Sequence, residues 1–232
     1  KNEDAAIENM GSKWSLSALR KQYEEMGIDD TELWARVKDL VIKTIISAEP
    51  YMLHSLNRTP EHRNNCYEIY GFDVLIDSNL KPWLMEVNAC PSLSSTSPLD
   101  QKIKTTLICD TMNLLGYLPF DKKKYEEDRR NKIPGSETRK YQPKNFNDIF
   151  GLNEENCLEL LSSDDWNVLF ETDEEYYRRG LYERIFPLKE NVDIYAKFFE
   201  SQRYNNAIVW RWLKNEKNFL EKIYKKVSQQ AV

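Results

Sequence analysis

Glycine and histidine are scarce in this chain, which has 7 glycines and 2 histidines in 232 residues. So few glycines exclude a collagen-like or glycine-rich low-complexity protein, and a content of 41% hydrophobic residues supports a packed core. No apolar run approaches the roughly 20 residues needed to cross a bilayer. The first residues, KNEDAAIENMGSK, are polar rather than a secretory signal. These features predict a folded, soluble, intracellular protein without a membrane span.

Paired cysteines are also missing. The four cysteines are widely spaced and include no C-x-x-C pair; they are Cys66, Cys90, Cys109 and Cys157. With only His54 and His62 to complete a ligand set, a zinc site is not expected. A chain without a secretory signal usually keeps its cysteines as thiols, so we expect all four to be reduced.

A strong excess of one charge is absent as well. The formal net charge is -5, from 38 acidic and 33 basic residues, so no overall field attracts nucleic acid. The exception is local, since residues 122–144 hold nine Lys or Arg against four Asp or Glu, interleaved with Tyr125 and Tyr141. Such a segment is either a solvated linker or a cationic surface for an acidic partner, and the sequence leaves both open.

Two helices are predicted near the start of the chain. Apolar residues at helical spacing indicate a helix from about 15 to 26, with Gly27 where a C-cap would be. A second helix begins at Thr31, and we expect Pro50 to end it because proline cannot donate the next backbone hydrogen bond. Its apolar stripe predicts deep burial and consists of Leu33, Trp34, Val37, Leu40, Val41, Ile45 and Ala48.

A third helix follows the loop ACPSLSSTSPLD. Ser97 is a favourable N-cap ahead of Pro98, and Gly116 is expected to end the helix. Its predicted apolar face consists of Ile103, Leu107, Ile108, Met112 and Leu115. Further helices are predicted over residues 154–162, 172–183 and 204–226, with Trp210, Trp212 and Phe219 in the core.

Between the second and third helices, the apolar pattern changes to a period of two. Residues 66–77 and the segment PWLMEVN read as the two strands of a hairpin, with DSNLK as the turn. Apolar neighbours surround Asp73 on the first strand and Glu86 on the second. The strands are therefore expected to be covered rather than open to water.

Three oxygen-bearing side chains interrupt this hairpin. Side chains alternate across a strand, so Glu86 and Asn88 project from the same face. If residues 78–81 form a four-residue loop, Asp73 stands directly opposite Glu86, with Cβ atoms roughly 5 Å apart. A divalent cation, magnesium by preference, would remove the unfavourable free energy of unpaired carboxylates on covered strands. The alternative is a hairpin with one wet face, and spacing alone leaves both open.

A resemblance favours the metal. The segment YEIYGFDVLIDSNLKPWLMEVNACPSLSSTSPLDQKIK resembles the C-terminal part of the ATP-grasp core in the tubulin tyrosine ligase-like family. The signature of that family runs G-F-D, a short turn, K-P-W, E-V-N, P-S-L and then a D-x-x-I-K helix. The preceding helices resemble the family as well, so the similarity covers about residues 1–119. Residues 176–187, YYRRGLYERIFP, resemble a stretch beyond the core in the polyglutamylase branch.

The resemblance implies an α/β (α+β) fold. Residues 1–119 would form the C-terminal portion of an ATP-grasp core, an antiparallel hairpin packed by helices. Residues 120–150 would be a linker or mobile basic segment, and residues 151–232 a mostly helical extension.

The resemblance also implies an ATP-dependent ligase. In the family, the aspartate of G-F-D and the glutamate and asparagine of E-V-N hold magnesium ions that bridge ATP phosphates, which here means Asp73, Glu86 and Asn88. The implied reaction phosphorylates a γ-carboxylate of tubulin to an acyl phosphate, which the amine of free glutamate attacks. The partners are then Mg²⁺, ATP as substrate, glutamate and tubulin or microtubules, with no nucleic acid or membrane. The expected location is the cytoplasm and cytoskeleton, including the cilium or basal body.

The same resemblance implies roles for two further residues and indicates that part of the ATP site lies outside this sequence. Lys104 matches the lysine of the D-x-x-I-K pattern and, with the loop of residues 94–97, is expected to hold a substrate carboxylate; its alternative is a solvated lysine. Ala89 would border the acceptor pocket. The phosphate-binding lysines of the family lie upstream, and nothing before Trp14 can hold them, so we expect a C-terminal fragment that is inactive alone. A non-catalytic microtubule- or protein-binding module that keeps the ATP-grasp shape is the alternative.

Overall fold

The computed structural model describes residues 13–56, 66–117, 121–123, 126–127 and 161–215. The chain divides into two compact units, Lys1–Asp110 and Thr111–Val232. Unit 1 contains α1 (Leu16–Glu25), α2 (Thr31–Leu56), β1 (Gly71–Ile76), β2 (Pro82–Asn88) and the beginning of α3 (Pro98–Leu115). Unit 2 contains the end of α3, then α4 (Ser163–Arg178), α5 (Val192–Tyr195), a 3-10 turn (Ala196–Phe198) and α6 (residues 204–215). This mixture of helix and strand agrees with the predicted α+β class.

The first helix forms where the sequence predicts it, and both of its ends are capped. Ser15 Oγ accepts the Ala18 backbone N–H at 3.1 Å, which satisfies one of the free donors of the first turn. At the other end Gly27 has φ of +71°, and the Ile28 N–H reaches back to the Tyr23 carbonyl at 2.8 Å. This is the Schellman arrangement that ends many helices at a glycine.

The link between α1 and α2 is fastened by a buried carboxylate. Arg20 Nε donates to Asp30 Oδ2 at 2.8 Å, and the Trp34 indole N–H donates to the same oxygen at 2.7 Å. The Arg20 guanidinium, followed by the Trp34 indole, holds the pKa of the Asp30 carboxyl below its usual range despite the opposing effect of burial. The two helices are therefore joined by charge-assisted hydrogen bonds.

The second helix does not end at Pro50, and that prediction is wrong. α2 runs through Pro50 to Leu56. Proline removes one backbone donor, but the residues after it can resume the helical bonding pattern. Within the predicted apolar stripe only Leu33 is fully buried. Over residues 31–54, where the burial of α2 is described, the other buried positions are Ile42 and Ile46.

α3 begins at the predicted cap, but its apolar face is more exposed than predicted. The Asp100 backbone N–H donates to Ser97 Oγ at 3.1 Å, which confirms Ser97 as the N-cap. Ile103 and Met112 are 45% and 49% exposed, whereas Thr111 is buried. Periodicity thus located the helix correctly without identifying the side that is covered.

Unit 2 has its own core between α4 and α6. Its buried residues are Leu169, Tyr204, Ile208, Val209 and Trp212, and Trp166 contacts Trp212 edge to face at 6.4 Å between ring centroids. The prediction that Trp212 belongs to the core is confirmed, while Phe219 and most of the helix predicted over residues 154–162 lie outside the described residues. Trp210 is half-buried and packs against Phe186 and Phe199.

The helix predicted over residues 172–183 is displaced. α4 starts at Ser163, because Ser162 and Asp165 form a capping box, and it ends at Arg178. Across the described parts of both units, no helix has the length and apolar character needed to cross a membrane.

Candidate metal site

The hairpin pairs Asp73 with Glu86, as the sequence predicts. β1 and β2 are antiparallel, and Gly71 lies opposite Asn88 at the end of the ladder. Cross-strand partners point to the same face of a sheet, so the two carboxylates and the amide share one face. Asn88 Nδ2 donates to Glu86 Oε1 at 3.1 Å, which confirms that these two side chains lie on one face.

The turn differs from the predicted one. The Asp77 N–H donates to the Lys81 carbonyl at 3.1 Å, and the Leu80 N–H donates to the Asp77 carbonyl at 3.0 Å. The loop between Asp77 and Lys81, the pair that closes the hairpin, therefore has three residues and not four. The shorter turn offsets the pairing by one residue, so Val74 pairs with Leu84, and an irregularity between Asp73 and Val74 restores the offset. Met85 is the extra residue on β2.

The strands are open to water, so the predicted cover is wrong. Met85 is 64% exposed and Val87 37% exposed, and both Asp73 and Glu86 are exposed. α2 packs against β2, and among the described residues the sheet has only these two strands. Burial of unpaired carboxylates therefore gives no argument for a metal in this structure.

The case for a cation rests on the donor set and its surroundings. Within the described residues, neither Asp73 nor Glu86 forms an ion pair with a Lys, Arg or His, and no hydrogen-bond donor reaches Asp73. No group of three His, Cys, Asp or Glu side chains is arranged for a metal in that part of the chain. What the hairpin offers is two carboxylates and one amide oxygen, hard ligands of the kind that Mg²⁺ takes together with water and phosphate.

A cluster at the tip of the hairpin was not predicted. Asp77 Oδ2 accepts the Trp83 indole N–H at 3.0 Å, while Asp77 Oδ1 accepts the backbone N–H groups of Asn79 and Lys81. The Trp83 indole, followed by the Lys81 backbone, lowers the pKa of the Asp77 carboxyl. The Lys81 ammonium lies 3.8 Å from the centroid of the Trp83 ring. An aspartate that opens a short turn was the available signal in DSNLK.

The loop after β2 folds back beside Gly71, the cross-strand partner of Asn88. A side chain at Gly71 would bring its Cβ to 3.0 Å from the Pro91 Cβ, so glycine permits this close approach. Ala89 is exposed at the bend that follows Asn88. Cys66, Cys90 and Cys109 are exposed and form no disulfide; Cys157 lies outside the described residues.

Lys104 contacts the hydroxyl-rich loop that precedes α3. Lys104 Nζ donates to the Ser94 carbonyl oxygen at 2.5 Å. The start of α3 is held by Asp100, which accepts hydrogen bonds from Thr96 at 3.0 Å and from Lys13 at 3.3 Å. These two donors, Thr96 first, lower the pKa of the Asp100 carboxyl. The bond to the Ser94 carbonyl thus uses one of the three N–H donors of the Lys104 ammonium.

The segment YYRRGLYERIFP lies in unit 2. It covers the last turn of α4 and the chain that follows it. The guanidinium carbon of Arg179 lies 4.0 Å from the Tyr176 ring centroid, and that of Arg184 lies 5.2 Å from it. Most of the basic stretch of residues 122–144 lies outside the described residues.

Comparison with known proteins identifies one family. The model of the tubulin-tyrosine ligase family matches residues 1–125. The chain is 37% identical over 226 residues to tubulin monoglutamylase TTLL4 of Mus musculus, with 87% of this chain and 19% of that protein covered. It is 38% identical over 229 residues to tubulin polyglutamylase TTLL5 of Homo sapiens, with 89% and 18% covered. Tubulin polyglutamylase ttll-4 of Caenorhabditis elegans is 32% identical over 209 residues, with 86% and 35% covered. The chain thus spans between about a fifth and a third of the length of these relatives.

Proposed function

Because the chain belongs to the tubulin-tyrosine ligase family, we propose that it carries the metal-binding part of a ligase that attaches glutamate to glutamate side chains of tubulin. Asp73, Glu86 and Asn88 are the proposed ligands of Mg²⁺, and residues 1–119 are the proposed C-terminal portion of an ATP-grasp core. ATP and free glutamate are the proposed co-substrates. The cytoplasm and the cytoskeleton, including the cilium or basal body, are the proposed location.

The observation that carries this proposal is the pairing of Asp73 with Glu86 across the hairpin, with Asn88 on the same face. Three hard oxygen ligands within reach of one another suit a magnesium ion that also binds phosphate oxygens. The names of the relatives support tubulin as acceptor, since they are a tubulin monoglutamylase and tubulin polyglutamylases.

The proposed chemistry needs no nucleophile from the protein. A γ-carboxylate oxygen of the acceptor attacks the γ-phosphorus of ATP, the bond to the bridging oxygen breaks, and an acyl phosphate and ADP result. The amine of free glutamate then forms the amide bond, with loss of a proton and departure of phosphate. A bound Mg²⁺ would neutralise phosphate charge and orient the transferring group. The task of the hairpin is to hold the cation in place.

Lys104 is the proposed contact for a substrate carboxylate. Its ammonium has two donors left after its bond to the Ser94 carbonyl. The loop that Lys104 contacts follows β2, the strand that carries Glu86 and Asn88. Ala89 has no charge of its own, and we propose that it borders the acceptor pocket.

A non-catalytic module that binds microtubules or another protein is the second candidate. The exposed apolar pair Leu75 and Trp83, on the same hairpin face as Asp73, favours it. Such a surface is typical of a contact with another protein. The two candidates differ in whether glutamate is added, which experiment can decide.

The test uses the complete open reading frame that contains this chain. The protein is incubated with microtubules, magnesium, ATP and each candidate amino acid, and the masses of the tubulin tails are measured. Glu86→Gln should abolish glutamate addition, because it removes one ligand charge while keeping the shape of the side chain. Glu24→Gln makes the same change on the exposed surface of α1 and should retain activity. Microtubule binding without any mass change would favour the second candidate.

A further inference from the structure

The hairpin contains one residue more than its ladder needs, and this residue lies at the candidate metal site. From the turn to the pair Val74 and Leu84, the cross-strand partners follow a single register without interruption. From Asp73 and Glu86 onward they keep another, shifted by one residue. Met85 lies between the two and has no partner on β1, which makes it a β-bulge.

The pairing does not require Met85. Without it, Glu86 would directly follow Leu84, just as Asp73 directly precedes Val74, and the ladder would continue unbroken. The Met85 side chain is 64% exposed, so it contributes little to packing. A bulge leaves one residue unpaired and disrupts the ladder, so a regular hairpin is expected to be at least as stable.

The bulge changes the direction in which the neighbouring side chains of β2 point. A bulge bends its strand and increases the local twist, and so re-aims the side chains beside it. Glu86 and Asn88 follow the bulge on β2, whereas their partner Asp73 lies on β1. Because Asn88 donates to Glu86 at 3.1 Å, the bend turns these two side chains together relative to Asp73.

We propose that the Met85 bulge aims Glu86 and Asn88 at a divalent cation held jointly with Asp73, so that Met85 is a positioning residue for the ligase. The inference rests on the proposed function and extends it to a residue that does not itself touch the metal. The signal in the sequence is the spacing of two apolar residues on β2, since Leu84 and Val87, which pair with Val74 and Phe72, are three residues apart rather than two.

The test separates geometry from stability. In the complete reading frame, Met85 is deleted in one variant and replaced in a second, Met85→Ala, which keeps the residue count and therefore the bulge. Mn²⁺, a spectroscopic substitute for Mg²⁺, is titrated by electron paramagnetic resonance, and urea unfolding is followed in parallel. The deletion should weaken Mn²⁺ binding by about 10-fold or more without lowering the urea midpoint, while Met85→Ala should lose far less affinity.

Other outcomes overturn the inference. Equal Mn²⁺ affinity for the deletion and the unaltered protein would show that the bulge does not aim the ligands. A lower urea midpoint for the deletion would show that Met85 supports the fold instead. If the unaltered protein binds Mn²⁺ but adds no glutamate, the proposed function fails, and the Mn²⁺ comparison still decides the role of the bulge. If it binds no Mn²⁺, both fail.

Discussion

At the scale of single residues, Leu80 holds a backbone conformation that usually requires glycine. Its φ is +56°, and it is the third loop residue of the hairpin, a position where a left-handed residue completes this kind of turn. Leu80→Gly should raise the free energy of unfolding by about 1 kcal/mol, because glycine adopts this region without a Cβ clash. Urea denaturation measures the change. Gly27→Ala is the matched reversal, since Gly27 has φ of +71° and open space around its Cβ, and it should lower stability. A lower free energy of unfolding for Leu80→Gly would mean that the leucine side chain stabilises the fold by more than its left-handed backbone conformation destabilises it.

At the scale of elements, the end of α3 and the end of α4 meet at a glycine. Gly116 has φ of +61°, and a Cβ there would lie 2.6 Å from the guanidinium carbon of Arg178. Arg178 also pairs with Glu174 at 2.8 Å, so its guanidinium is held in position. Gly116→Ala should therefore lower the free energy of unfolding by about 1 kcal/mol for the left-handed backbone, plus a contribution from displacing Arg178. Chemical denaturation of Gly116→Ala in the Arg178→Ala background isolates the second part, and an equal loss in both backgrounds would contradict the contact.

At the scale of the whole molecule, stability should fall in acid because unit 1 contains several carboxyls with lowered pKa. These are Asp29, Asp30, Asp77 and Asp100, whose pKa values are lowered mainly by hydrogen bonds from Thr31, Arg20, Trp83 and Thr96 respectively. The unfolded chain then binds protons at a higher pH than the folded chain does. Their contribution is complete above about pH 4 and is lost as the pH falls through the lower folded values. Urea midpoints at pH 7 and pH 3 test this. Asp30→Asn should lower the midpoint at pH 7 and reduce the difference between the two pH values; an unchanged difference would contradict the assignment.

The candidate site was largely predictable, because alternation along a strand depends only on local geometry. Alternation placed Glu86 and Asn88 on one face. The assumed four-residue loop placed Asp73 opposite Glu86, and the structure confirms this pairing although the loop is shorter. The turn was not predictable in the same way. A four-residue loop without a bulge and a three-residue loop with a bulge at Met85 give the same pairing at the carboxylates. Hydrogen bonds to Asp77 distinguish the two turns, and these depend on side chains whose directions the pattern does not reveal.

Burial was the least predictable property of the fold. Apolar residues along the hairpin favoured covered strands, yet Met85 and Leu75 are 64% and 56% exposed. Periodicity shows which residues share a face, whereas burial depends on what packs against that face. The prediction that α2 ends at Pro50 was wrong because a helix can tolerate the loss of one backbone donor when its other residues stabilise it. The start of α4 depends on a capping box between Ser162 and Asp165, ten residues before the helix start that periodicity predicts.

The exposed thiol of Cys90 lies two residues beyond Asn88. A sulfhydryl open to solvent reacts readily with maleimides, so a fluorescent dye can be attached next to the carboxylates without changing any of their oxygens. The other exposed thiols of the described residues, Cys66 and Cys109, would first be replaced by serine. A change in the emission of this dye on addition of Mg²⁺ would then report binding at the proposed site.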